Sequence, residues 1–421
     1  MTLGKLKKNI FIIKTAANSL LDLTAKQREQ VLSQLARLLL SNTKQIIAAN
    51  HRDVLLARQA GKTQSFVERL ELDDIKIKSM ADSVKSIAKF KDNLFEIIET
   101  RRPASGLLIK KVRYPLGLIA MIYESRPNVT IDAFAMAFKS GNAILLKGGK
   151  EIKYTSRILV KLIKKSLTDK KINSNVVSNL NGIDKKMVSE LLSNRNIDCL
   201  IPRGGKSLIN FVTANTRIPV IITGASVVHM YIDDSADLRM ARKVVVNAKT
   251  RRVSICNALD VLLLHQKVYK KVLVSLFDDL SARNVELMAD KRSYQVLKKI
   301  NYSKLKPASA NDFDTEFLAC RLAIKVVDNF DQAIDHIRKH SLGHSEAIIT
   351  QSKKHTQEFF RQIDAACLYL NTSTQFSDGG EFGMGGEIGI STQKLHARGP
   401  FAFSELTTYK YLVESKGLTR G

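Results

Sequence analysis

The sequence predicts an α/β protein built on a doubly wound parallel sheet, and three observations predict it. Apolar, strand-sized segments recur at Pro115 to Tyr123, Gly141 to Lys147 and Asp198 to Ile201. Helix-periodic segments separate them, at Asn128 to Lys139 and Thr155 to Leu167. Glycine pairs fall at the strand-to-helix turns, in Lys147-Gly-Gly-Lys150 and Arg203-Gly-Gly205. Strands joined through a helix lie parallel, because the crossover carries the chain back over one face of the sheet. Glycine at such turns lets a phosphate approach the free N–H groups of the next helix.

The elements follow in order. Lys5, Lys7 and Lys8 precede an apolar run from Ile10 to Ile13 that Lys14 interrupts. A secretory signal needs about 7–15 apolar residues there, so export is not expected and a cytoplasmic location is. No window reaches the roughly 18 apolar residues of a membrane span. Residues 24–40 read as a helix: Thr24 and Gln27 have capping-box spacing, and Val31, Leu35 and Leu38 lie on one face with Leu32 and Leu39. Helix is expected again over 43–58 and onward to about Glu99, after which Gly106 to Tyr114 turns β-like. Past Ile201 the pattern predicts a helix at 206–215 and a strand at 220–222. A second α/β run opens near His229. It carries helices at 235–248, 267–283 and 330–339, with strands at 259–264, 322–327 and 346–350. A Gly-rich stretch (Gly379, Gly380, Gly383, Gly385, Gly386, Gly389) leads to β-like Leu406 to Val413.

Composition narrows the function classes. At 421 residues the chain exceeds one compact core and fits two or three lobes. The net charge is +27. Its Lys and Arg are scattered in short pairs, as on solvated helix faces, so nucleic-acid binding is not expected. A weaker reading is a field that attracts small polyanions. Cys199, Cys256, Cys320 and Cys367 lie far apart without metal spacing. They read as reduced thiols, with no metal site.

Chemistry can reside in three segments. Cys256 follows Lys249, Arg251 and Arg252, and nearby cations stabilise a thiolate; a buried structural cysteine is the commoner fate of such a residue. Lys147, Lys150, Arg203, Gly204 and Gly205 combine positive charge with close backbone approach. Asn128, in Arg126-Pro-Asn-Val-Thr130, is by default a helix N-cap. Its amide could instead stabilise an oxyanion.

Longer stretches carry a resemblance. Ile122-Tyr-Glu-Ser-Arg-Pro-Asn-Val-Thr130, Gly141-Asn-Ala-Ile-Leu-Leu-Lys-Gly-Gly-Lys-Glu151 and Leu200-Ile-Pro-Arg-Gly-Gly205 are followed by Val246-Asn-Ala-Lys-Thr250, Cys256-Asn257, Asp314-Thr-Glu-Phe-Leu318 and His344-Ser345. Ser377-Asp-Gly-Gly380, Ser391-Thr-Gln-Lys-Leu-His-Ala-Arg-Gly-Pro400 and Leu406-Thr-Thr-Tyr-Lys410 complete the set. In this order they resemble the γ-glutamyl phosphate reductase family of the aldehyde dehydrogenase superfamily, through nearly the whole chain.

The resemblance implies an aldehyde-dehydrogenase-like fold. Its parts are a Rossmann-type cofactor domain (1–103 and 115–230), a catalytic domain (231–368), a returning Gly-rich segment (369–394) and a small β oligomerisation arm (104–114 and 395–421). It implies NADPH-dependent reduction of L-glutamyl 5-phosphate to L-glutamate 5-semialdehyde, a homo-oligomer, and a possible glutamate kinase partner. Cys256 matches the nucleophile and Asn128 the oxyanion donor. Lys147, Lys150, Arg203, Gly204, Gly205, Gly224, Glu316 and Phe317 match cofactor positions, with Lys150 suiting a 2′-phosphate. Arg126, Lys249, Arg252, Gln375 and His396 are the substrate candidates. Ile222 stands where hydrolytic relatives carry a glutamate base.

The chain departs from the family pattern at three places. Val253 replaces a Pro, Ser226 a Gly, and Gln375 an Arg. Gln cannot supply the fork of positive charge that an Arg offers an anion, so an active enzyme of reduced rate is expected. The competing readings are an acylating aldehyde dehydrogenase using another acyl donor, and a diverged, inactive paralogue that acts as a binding protein.

Overall fold

The computed structural model describes residues 2–420, apart from the Ser65 side chain. The chain forms two units. The first takes Met1–Thr223, Gly383–Gly389 and Phe401–Gly421, and the second takes Gly224–Phe382 and Ile390–Pro400.

In the first unit, a parallel four-stranded sheet runs in the order Val177–Asn179, Ala143–Lys147, Leu118–Tyr123, Cys199–Arg203. The chain begins at the third of these, winds outward to the first, then returns to the far side at Cys199–Arg203. That reversal creates a switch point beside the carboxyl end of Leu118–Tyr123, the place where open α/β sheets bind ligands. Every residue of Leu118–Tyr123 is buried, which is why the segment reads as a continuous apolar run. The helices Ala25–Ser41 and Asp74–Lys89 belong to the same unit, and both bonds of the Thr24–Gln27 capping box form. Buried Asp53 accepts the N–H groups of Tyr154 and Thr155 at 3.1 and 2.7 Å, at the start of the helix Lys153–Thr168. An acid there meets unpaired donors and the positive end of the helix dipole.

Two expectations differ from the fold, and one helix is missing from the sequence reading. The N-terminal residues form a helix, Leu3–Ala17, with Leu6, Ile10, Ile13, Ala16 and Ala17 buried; the interrupting Lys14 is half-buried and pairs with Asp198. The helical stretch expected up to Glu99 ends at Lys89, and Ile97–Arg101 is a strand paired antiparallel with Leu108–Pro115. Residues 220–222 form no strand. Val220 makes a single bridge to Leu200, because neighbouring Pro219 has no N–H to extend a ladder. Ile97–Arg101, Leu108–Pro115 and Thr407–Glu414 make a separate antiparallel sheet in the first unit.

In the second unit, seven parallel strands run in the order Leu305–Pro307, Glu286–Ala289, Arg321–Val327, Val261–His265, His229–Ile232, Ser345–Ile349, Cys367–Leu370. The sequence reading lacks the two at the first edge and the one at the last. Side chains alternate between two cores: Met230, Ile232, Leu262 and Leu264 on one face, Tyr231, Val261 and Leu263 on the other. The two-residue period of a strand requires this split.

One buried histidine makes stability acid-sensitive. His336 packs edge-on against Phe313 and His229, with ring centroids 5.2 and 5.6 Å away, and Lys325 Nζ donates to its Nδ1 at 3.1 Å. Burial, with the like charge of His229 next, pushes its imidazolium pKa down to about 2. An unfolded histidine titrates near 6.5, so below that pH the unfolded chain takes up the proton first. The group's contribution is complete above pH ~6.5 and is lost as pH falls, by at most about 1.4 kcal/mol per pH unit. Urea unfolding at pH 7.5, 6 and 5 will show a falling midpoint, and His336→Phe will flatten that fall.

Candidate active site

The first set of residues gathers at the switch point of the four-stranded sheet. After Tyr123, whose hydroxyl lies 2.7 Å from Thr130 Oγ1, the chain turns into the helix Asn128–Lys139. Glu124 joins this turn to its neighbour: its N–H donates to the Arg203 carbonyl at 3.1 Å, and its Oε2 accepts the Gly205 N–H at 3.0 Å. A Cβ on Gly204 would stand 2.6 Å from the Glu124 carboxyl carbon and 2.8 Å from the tip of Leu208, so a side chain there would displace both. The helix Lys206–Asn215 starts immediately afterwards.

Asn128 is not an N-cap. Pro127 holds that position without a side-chain bond, and Asn128 is the first helical residue. Its Nδ2 donates to Asp132 Oδ2, one turn on, at 3.0 Å. Burial pushes the Asp132 carboxyl up to about 6, opposed by that bond, by Ser83 and by the charge of Arg203. Lys147 ends the adjacent strand, opposite Ile122, and burial lowers its ammonium pKa. Lys150 is exposed and opens a short turn, Lys150–Ile152. Arg126 is exposed. Neither Glu124 nor Asp132 was singled out in the sequence; Asp132 could have been, from its i,i+4 spacing to Asn128.

The second set lies in the other unit. Cys256 sits in the turn between the helix Leu238–Thr250 and the strand Val261–His265. The Ser373–Ser377 turn grips this loop. Gln375 Nε2 donates to the carbonyls of Ala248 (2.9 Å) and Arg252 (3.3 Å), and its Oε1 accepts from Arg251 Nη1 at 3.4 Å. Thr374 Oγ1 donates to the Asn257 carbonyl at 2.7 Å, and Asn257 Nδ2 to the Ser377 carbonyl at 2.9 Å. A further grip comes from Ser226. Its Oγ bonds to the Cys256 carbonyl and lies 3.1 Å from Glu316 Oε1.

Geometry separates the four thiols. Burial pushes the Cys199 thiol up to about 12, and Cys367 is also buried. Cys256 and Cys320 are partly exposed, and no disulfide forms among the described residues. A thiol that cannot ionise is inert, which leaves Cys256 and Cys320 as the reactive candidates.

Other sequence candidates are placed as follows. Lys249 is fully buried, its Nζ donating to the Leu259 carbonyl at 2.8 Å. Burial pushes its pKa down to about 8 and raises the Asp260 carboxyl to about 6. The Phe317 N–H donates to Asp260 Oδ1 at 3.2 Å, which fixes the backbone next to Glu316. Gln375 is buried and spends its amide on the Cys256 loop, so it is not a fork open to an anion. Gly224 has no room for a side chain, since a Cβ would lie 2.4 Å from Thr392 Oγ1. Arg252 and His396 are exposed. Among the described residues, Asp233, Asp234 and His355 bring ligand atoms within 4.8 Å of one another, but Asp233 is occupied by Tyr231, Ser235, Thr350 and His355.

Comparison with known proteins decides the family. The model of the aldehyde dehydrogenase family matches residues 5–296. The chain belongs to the aldehyde dehydrogenase family. It is therefore an oxidoreductase of a family that works with nicotinamide cofactors. Among members of the aldehyde dehydrogenase family, gamma-glutamyl phosphate reductase of Francisella philomiragia is 44% identical over 422 residues, covering 100% of both chains. The crystal structure of gamma-glutamyl phosphate reductase from Thermotoga maritima superposes with a TM-score of 0.94 at 39% identity, over 99% of this chain and 100% of that one. An acetylating aldehyde dehydrogenase from Geobacillus thermoglucosidasius shares the fold, with a TM-score of 0.71 at 16% identity over 100% of this chain and 98% of that one. Among the described residues, no helix is long and apolar enough to cross a membrane.

Proposed function

We propose that this chain reduces L-glutamyl 5-phosphate to L-glutamate 5-semialdehyde with NADPH, in the route to L-proline. The supporting observation is end-to-end identity of 44% to a named gamma-glutamyl phosphate reductase. The neighbour of acetylating type stands at 16%.

On this reading the Cys256 thiolate attacks the acyl carbon. The bond to the phosphate oxygen breaks, phosphate departs, and a thioester remains on Cys256. Asn128 donates an amide N–H to the developing oxyanion, and Asp132 aims that amide. Ile222 offers no base to activate water, so the thioester lasts until it is reduced. NADPH, when bound, supplies the hydride.

A dinucleotide at the switch point is supported by the glycine that closes directly on Glu124 and by a backbone N–H already serving a carboxylate. Gly204 and Gly205 would take the pyrophosphate, Lys147 and Glu316 the two riboses, and exposed Lys150 the 2′-phosphate. The separate antiparallel sheet would join copies into a homo-oligomer in the cytoplasm. A glutamate kinase close by would supply the labile acyl phosphate.

The test runs the reaction in reverse. Purified protein will oxidise glutamate semialdehyde with NADP⁺ only when inorganic phosphate is present, and Lys150→Glu will shift preference toward NAD⁺ by about tenfold or more, the loss of one charge contact of ~1.5–3 kcal/mol. Turnover with coenzyme A in place of phosphate would overturn the substrate assignment.

A further inference from the structure

Ser226 lies between the two groups that matter most in the second unit. Where the family pattern has glycine, this chain has a serine that is fully buried. Its hydroxyl bonds to the Cys256 carbonyl and lies 3.1 Å from Glu316 Oε1. Its backbone N–H also serves the Glu316 carboxyl. Glycine would keep only the last of these contacts.

A serine hydroxyl has one hydrogen. Here it faces two oxygens that both accept. If the hydrogen goes to the Cys256 carbonyl, Glu316 must carry its own proton to bond Ser226 Oγ. If it goes to Glu316, the Cys256 carbonyl loses the Ser226 hydrogen bond. Either way, the state of Glu316 sets how the peptide of Cys256 is held. Burial raises the Glu316 carboxyl pKa, in keeping with the first arrangement. The other charged groups beside this carboxyl are Asp260 and, next to Asp260, the Lys249 ammonium.

We infer that Ser226 is a positioning residue that couples Glu316 to the nucleophile loop. The inference rests on the reading of Cys256 as nucleophile and Glu316 as a cofactor-ribose acceptor. It adds a link between them that the family's glycine cannot make. Gln375 grips the same loop through Ala248 and Arg252. With Val253 inside it, all three departures from the family pattern thus fall on one loop.

The experiment measures alkylation of Cys256 by iodoacetamide in the full chain, without cofactor or substrate, with the modified cysteine identified by peptide mass. The set is wild type, Ser226→Ala, Ser226→Gly, Glu316→Gln and the Ser226→Ala/Glu316→Gln pair. Melting temperatures confirm that each variant is folded. Each single substitution is expected to change the Cys256 rate at least threefold, while Cys320 stays within 1.5-fold. The double variant is expected to match Glu316→Gln alone, because the link is already broken. Multiplicative effects, or a Cys256 rate within 1.5-fold of wild type in both Ser226 variants, would overturn the coupling. NADPH titration of the same proteins tests the cofactor role separately. Coupled alkylation with no dinucleotide binding would sink the reductase reading and leave the link standing.

Discussion

Cys256→Ala will abolish turnover, with kcat reduced by about 10⁴-fold or more, on the scale seen when covalent nucleophiles are removed. Cys320→Ser will retain most of its activity. The comparison is sharp because these are the two partly exposed thiols, whereas Cys199 and Cys367 are buried. A second readout needs no steady state. Wild type mixed with acyl phosphate and no dinucleotide should gain the mass of one glutamyl group on Cys256. Such a mass on Cys320, or full activity in Cys256→Ala, would overturn the mechanism.

Asn128→Ala comes next in size, at about 10²–10³ in kcat, the usual loss for one oxyanion donor. KM should change little, since the bond strengthens in the transition state. Asp132 supplies a pH signature. Its carboxyl titrates at about 6 because burial raises it. As pH falls through that value, the carboxylate that accepts the Asn128 amide becomes protonated and holds it less well. Wild-type kcat should therefore decline below pH ~6. Asp132→Asn should be slower at neutral pH and lose that acidic limb. An unchanged limb would assign it to another group.

Much of this was legible in the sequence for definable reasons. Leu118–Tyr123 and Ala143–Lys147 are buried on both faces, so their apolar runs show without context. The Thr24–Gln27 box is local, and both of its bonds form. The failures are non-local. Ile97–Arg101 is a strand through pairing with Leu108–Pro115, though its β-branched Ile97, Ile98 and Thr100 hinted at it. The Leu3–Ala17 helix has no unbroken apolar run; the 4,3,3 spacing of Leu6, Ile10, Ile13 and Ala16 marks its buried face. At the site, residue types alone left Cys256 a structural thiol and Asn128 an N-cap by default, and the family resemblance made them candidates. Their supports did not show, because Ser226, Thr374 and Gln375 reach the Cys256 loop from segments 30 and more than 100 positions away.

The carboxylate of Glu124 on the Gly205 amide has one more implication. On the proposed reading, the chain holds its own carboxylate on the helix terminus that would receive the pyrophosphate. A diphosphate arriving there would exchange with a resident of like sign, so its affinity would be a difference between two similar attachments. The same swap run backwards would help spent dinucleotide to leave. Such a terminus favours rapid exchange over tight retention.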